Sequence, residues 1–194
     1  MKLGTELLTA RQRIRHYEDT ERDRAFFHRQ NSDPAILRFF PYSWTRAEAD
    51  ERYMEMLARR NARGAGWAVA EMRDTGEIVG YVGVAPTRIP EVIGDVFEIG
   101  WRYVPEAWGK GLATEAALRL RDHAFDEIGV PVLYAVAMKD NEASLRVMQR
   151  IGMTYVEDGD FDHPFVPDHR PELKLHVTYR MRADDPRRIP TGAP

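Results

Sequence analysis

No other stretch restricts the possible folds of this chain as much as Val96 to Thr114, Val-Phe-Glu-Ile-Gly-Trp-Arg-Tyr-Val-Pro-Glu-Ala-Trp-Gly-Lys-Gly-Leu-Ala-Thr. Phe97, Ile99, Trp101 and Tyr103 alternate with Glu98, Gly100 and Arg102, the period of a strand running over 96–104. Pro105 stops it, and the Gly109-Lys-Gly turn opens directly into a helix predicted from Leu112 to about Ile128. Ala113, Ala117, Leu120, Ala124 and Ile128 form its apolar stripe. A helix start leaves several backbone N–H groups without partners, and the helix dipole adds positive charge there. Such a turn is ready to cradle a phosphate. A Cβ at Gly109 or Gly111 would hold a diphosphate away from those N–H groups. A phosphate grip beside one candidate base, Glu98, points to an enzyme that holds a phosphorylated carrier.

The flanking segments predict an α+β fold. Leu7 to Tyr17 reads as a first strand, and Asp19 or Thr20 as the cap of a helix reaching Gln30. Asp33-Pro34 starts a short helix through Phe39. Thr45 and Glu48 have capping-box spacing; their helix turns Ala49, Tyr53, Met56 and Leu57 to one face and stops near Gly64. Trp67–Met72 and Ile78–Val84 form a hairpin through Asp74-Thr-Gly76. Leu133–Met138 is apolar on both faces, as in a buried central strand. Asn141 opens a short helix that Gly152 closes in the left-handed region. Leu173, Leu175, Val177, Tyr179 and Met181 alternate as the last strand. Hairpin connections predict a single mixed, mostly antiparallel sheet flanked by helices. One domain over 1–181 and a frayed tail over 182–194 are expected.

Composition removes several classes of function. A net charge of −3 offers no basic face for nucleic acid. The absence of cysteine excludes disulfides, thiolate metal sites and thiol nucleophiles. The first residues contain no apolar h-region, and no run approaches the ~20 residues that span a bilayer. A cytoplasmic protein without membrane partners is the default expectation.

The glycine turn fits neither common nucleotide motif. A dinucleotide fold wants glycine where Thr114 stands and a strand that enters the turn directly, and no P-loop pattern is present. Glu98-Ile-Gly-Trp-Arg-Tyr-Val104, Trp108-Gly-Lys-Gly-Leu-Ala-Thr-Glu115, Asn141-Glu-Ala-Ser144 and Ile151-Gly-Met153 instead resemble the GNAT superfamily of N-acetyltransferases. The branch of ribosomal-protein N-terminal acetyltransferases is the most similar. The resemblance runs from about Leu7 to Met181. The superfamily's pyrophosphate motif is Gln/Arg-x-x-Gly-x-Gly/Ala; Gly111 and Ala113 match it, while Trp108 stands where Gln or Arg would.

The resemblance implies acetyl-coenzyme A as donor, with no metal. Its pyrophosphate would lie on the N–H groups of Gly109, Lys110, Gly111, Leu112, Ala113 and Thr114, beside Trp108. Its pantetheine arm would run along Tyr103 and Val104 like an added strand, and Asn141 would hydrogen-bond the pantetheine or the phosphate arm. A backbone N–H near Val104 would serve the oxyanion. Ser144 would protonate the departing thiolate. The plainer readings are a turn that only starts a helix, a surface Lys110, and Asn141 and Ser144 as N-cap and N3 partner.

The acceptor must be a neutral amine. Deprotonating a lysine ε-amine near pH 7.4 costs ~4 kcal/mol and an α-amine under ~1 kcal/mol. Glu98 is the first candidate base, directly or through water; its alternatives are a solvated glutamate or one paired with Arg102. His163 falls where the ribosomal branch carries its glutamate base. It belongs to an acidic loop, Asp158-Gly-Asp-Phe-Asp-His-Pro-Phe165 with Asp168 and His169, expected to line the acceptor entrance and attract a cationic amine. His16, His28, His123 and His176 suggest no partners. The aromatic residues Phe26, Phe27, Phe39, Phe40, Tyr42 and Trp44 shape either the acceptor pocket or the core. The branch resemblance favours a protein N-terminal amine. A small amine (polyamine, amino acid or antibiotic) and a non-catalytic acyl-CoA-binding module are the alternatives. An exposed strand edge would allow a homodimer.

Overall fold

Hairpin pairing of apolar, alternating segments builds one mixed sheet, seen in a computed structural model that describes residues 6–63 and 66–186. Its strands are β1 (Leu7–Leu8), β2 (Gln12–His16), β3 (Gly66–Met72), β4 (Ile78–Pro86), β5 (Phe97–Tyr103), β6 (Val132–Met138), β7 (Thr154–Tyr155), β8 (Phe161–Asp162) and β9 (Leu175–Arg182). Among the described residues the order is β1-β2-β3-β4-β5-β6-β9-β7, with β8 also on β9. Every pair is antiparallel except β5 with β6. The α+β fold and mostly antiparallel sheet read from the sequence are therefore present.

Local chemistry starts the helices. Thr20 caps α1 (Glu21–Gln30) by accepting from the Asp23 N–H. Thr45 and Glu48 exchange the reciprocal bonds of a capping box at the start of α2 (Arg46–Arg63), and Ala49, Tyr53 and Leu57 are buried as expected. Its expected stop at Gly64 lies outside the described residues, as do residues 1–5 and 187–194. The Asp33 carboxylate accepts from the Ala35 N–H just ahead of a 3-10 turn at Ile36–Phe39, and Pro90–Ile93 forms one helical turn, α3. The short helix α5 (Glu142–Arg150) closes with Gly152 at φ 90°, its N–H bonded to Gln149 and that of Met153 to Met148.

Three expectations are corrected. Leu7 to Tyr17 is not one strand: Thr9 exchanges bonds with Gln12 and folds β1 back on β2. The helix after the glycine turn is α only over α4 (Leu112–Asp122) and continues as a π turn over His123–Ile128. Because a π turn takes more residues, it rotates the stripe: Phe125 is buried and Ile128 is exposed. The last strand begins at Leu175, with Leu173 in a 3-10 turn, and runs to Arg182, one residue into the expected tail.

Alternation along β5 separates two environments. Tyr103 points to the α4 side, where its hydroxyl donates to Gln12 Oε1 at 2.7 Å. Arg102 points to the opposite side and reaches Asn31, the C-cap of α1.

Candidate active site

The glycine turn takes the form an anion cradle requires. Gly109 and Gly111 have φ of 72° and 75°, the left-handed region that glycine enters without a Cβ penalty. A Cβ on Gly109 would meet nothing within 4 Å, and one on Gly111 only Arg11 Nη2 at 3.7 Å. Among the described residues no protein acceptor takes the N–H groups of Gly109 through Thr114; the first bonded N–H is that of Glu115, to Gly111 O.

Arg11, which no sequence motif singled out, fixes the turn. Its Nη1 donates to Lys110 O at 2.9 Å and its Nε to Glu115 Oε2 at 2.7 Å. The Glu115 carboxylate also accepts from Thr9 and from the Arg11 N–H. The carbonyl of the turn is thus held by Arg11 while its N–H groups remain open.

β5 and β6 pair in parallel only at Phe97–Leu133 and Glu98–Tyr134, and beyond that the strands part. Val104 does not supply the open backbone expected of it, because its N–H donates to Val79 O at 3.0 Å. In the continuous β4–β5 register, alternation turns the N–H groups of Trp101 and Tyr103 away from β4, toward the opening. Trp108 spends its indole N–H on Tyr103 O at 2.8 Å and so replaces the Gln or Arg of the motif with a brace on the strand end.

A cavity of about 340 Å³ brings the remaining candidates together: Glu98, Asn141, Ser144 and His163 all line it. Glu98 is raised from its ordinary value by burial, opposed by hydrogen bonds from the Thr87 hydroxyl and the Arg88 N–H and by the Arg88 charge. Asn141 caps α5 by accepting from the Ser144 N–H at 3.3 Å. The Ser144 hydroxyl makes no hydrogen bond among the described residues, so its proton is available. Trp67 lies across the floor, stacked 4.8 Å from Tyr81. It requires glycine at position 100, where a Cβ would come within 2.9 Å of the indole.

The acidic loop departs from its expected role. His163, Phe165 and Val166 line the cavity, but Asp158, Asp160, Asp162 and Asp168 do not. Asp160 accepts from the Tyr155 hydroxyl and Asp168 pairs with Lys174. Burial, then the nearby His176 and Arg88, push His163 down to about 4, and its Nδ1 accepts from the Phe165 N–H. The imidazole is therefore neutral near pH 7, with its proton on Nε2. His176, which sequence spacing did not flag, lies 4.7 Å from His163 and also lines the cavity. Arg102 is not paired with Glu98; it bonds Tyr42 and Asn31.

The site's geometry is a glycine turn with open N–H groups, a parallel strand pair that parts after two residues, and a carboxylate-bearing cavity. The acetyltransferase (GNAT) domain family matches residues 11–154. The chain belongs to this family. The uncharacterized protein YkkB of Bacillus subtilis is 35% identical over 159 residues, 80% of this chain and 88% of YkkB. A putative ribosomal-protein-serine acetyltransferase from Vibrio cholerae superposes with a TM-score of 0.72 at 16% identity, covering 94% and 99% of the two chains. A spermidine N-acetyltransferase from Vibrio cholerae, in complex with CoA and spermine, gives 0.69 at 17% identity, covering 89% and 95%. As a GNAT acetyltransferase the protein uses acetyl-CoA, and the open N–H groups from Gly109 to Thr114 suit its diphosphate. No helix among the described residues is long and apolar enough to cross a membrane.

Proposed function

We propose that this GNAT protein transfers acetyl from acetyl-CoA to a primary amine in the 340 Å³ cavity, by direct attack in a ternary complex. One observation carries the reading: Glu98 and Ser144, from β5 and α5, face the same cavity. The diphosphate lies on the N–H groups of Gly109 to Thr114, and Asn141 meets the pantetheine arm. As the amine nitrogen bonds to the thioester carbon, its proton passes to Glu98, directly or through water. The N–H groups of Trp101 and Tyr103 stabilise the developing oxyanion. The C–S bond then breaks, the Ser144 hydroxyl gives its proton to the thiolate and takes one from water, and Glu98 returns the amine's proton to solvent. His163 is assigned as a neutral Nε2–H donor that positions the acceptor, since its lone pair at Nδ1 is engaged. No acyl-enzyme is expected from a chain without cysteine.

The fold neighbours named for a ribosomal protein's serine and for spermidine leave two classes of acceptor. Arg88 and Arg102 line the cavity against one carboxylate, Glu98, which counts against a polycation. That Glu98, Ser144 and His163 line one cavity favours turnover over the non-catalytic alternative.

The test is Glu98→Gln, with product read as a mass gain of ~42 Da, an acetyl group replacing hydrogen. Glu98 titrates above its ordinary value, so the unaltered enzyme should lose rate on the acid side as this carboxylate takes up its proton. The variant should lack that limb and be ~100-fold slower near pH 7. The gap should narrow at high pH, where the amine supplies its own free form. An unchanged profile would remove Glu98 as the base.

A further inference from the structure

Among the described residues, Arg102 presents a cation with no anionic partner. Its guanidinium lies between two rings, 4.9 Å from the Phe40 centroid and 5.2 Å from that of Tyr81. Nη1 donates to Tyr42 Oη at 3.2 Å and Nη2 to Asn31 Oδ1 at 3.3 Å, both long bonds to neutral acceptors. The enclosed Nε finds no hydrogen-bond partner among the described residues. A guanidinium has five N–H donors and keeps its charge in proteins, so three donors and the full charge are uncommitted. Held flat by two rings, the fork has little freedom left to lose on meeting a carboxylate. It also lines the acceptor cavity.

Resting on the acetyltransferase reading, we infer that the acceptor is a primary amine carrying a carboxylate on an aromatic or flat apolar body, with the carboxylate received by Arg102. Glu98 and Arg102 lie on one face of β5, four residues and about 13 Å apart along the strand. The acceptor's amine and carboxylate must together bridge the gap that these two side chains leave. Tyr42 and Tyr81 line the cavity, and the Trp67 indole, packed directly over Gly100, gives it a flat floor between the two ends. The amine then meets Glu98 while the far end meets the guanidinium. A polyamine would instead place an ammonium beside Arg102.

Matched acceptors test this: 4-(aminomethyl)benzoate against benzylamine and 4-(2-aminoethyl)benzoate against phenethylamine, with spermidine as cationic reference and acetyl-CoA saturating. The carboxylated member should have the higher kcat/KM by tenfold or more. Arg102→Met should erase the preference by raising KM for the carboxylated member alone, with the KM for acetyl-CoA unchanged, and Arg102→Lys should restore part of it. Equal values within each pair, or a preference for spermidine, would overturn the inference on the unaltered protein alone. So would a loss in Arg102→Met that falls equally on both members, since that marks a structural arginine. No transfer to any amine, with CoA still bound, would overturn the acceptor class and leave the donor reading standing; no binding of CoA would overturn both.

Discussion

Gly111 sits at φ 75° as the N-cap of α4, with open space in front of the turn. A β-branched residue there meets left-handed strain, and its side chain occupies the place of the anion. Gly111→Val should weaken acetyl-CoA binding at least tenfold, about 1.4 kcal/mol, by calorimetric titration, while the far-UV spectrum is kept. Equal affinity would remove the cradle. Trp108 sharpens the point: where relatives of the motif offer a polar side chain, this chain commits an indole N–H to Tyr103 O, so more of the phosphate grip falls on the backbone. At this scale local strand and cap positions singled out Glu98, Asn141 and Ser144, while His163, in the loop after β8, was reached only through the family resemblance; all four line the cavity. Arg11, Arg102 and His176 were not legible, since they meet partners up to about a hundred residues away and carry no local signature.

Between elements, a buried charge network ties β2, β3 and α1 together. Arg15 donates to both Asp23 and Glu71, and all three are almost fully buried. Burial pushes Glu71 up, but hydrogen bonds from Arg15, Arg13 and Arg22 outweigh it and hold its carboxyl at about 2. A depressed group stabilises the fold above its unfolded value and loses that contribution as pH falls through its folded value. Glu71→Ala leaves Arg15 short of a partner and should cost ~3–5 kcal/mol at pH 7, a fall of ~10 °C or more in Tm. The difference from the unaltered protein should shrink between pH 4.5 and 2; a constant difference would mean lost packing rather than lost charge. Helix starts were readable because caps are local: Thr20, the Thr45–Glu48 box and Asn141 all act within one turn. The errors lie where other forces act. A side-chain turn at Thr9 folds the first strand, a π turn rotates the stripe of α4, and the loop aspartates find partners away from the cavity.

Across the molecule, parallel pairing of β5 and β6 underlies the proposed chemistry. Parallel strands end on the same side of the sheet, so the starts of α4 and α5, which follow them, lie toward one end. Two helix dipoles then favour an anionic donor there, while the parted strands leave the N–H groups of Trp101 and Tyr103 facing the gap. In the proposed reaction acetyl-CoA and the amine meet where β5 carries Glu98 and α5 carries Ser144. The most direct test is an amide NMR titration with acetyl-CoA, repeated with acetyl-pantetheine, which lacks the diphosphate. The account predicts that the N–H resonances of Gly109, Lys110, Gly111, Leu112, Ala113 and Thr114 shift with acetyl-CoA and stay nearly still with acetyl-pantetheine. Resonances unmoved by saturating acetyl-CoA would contradict it.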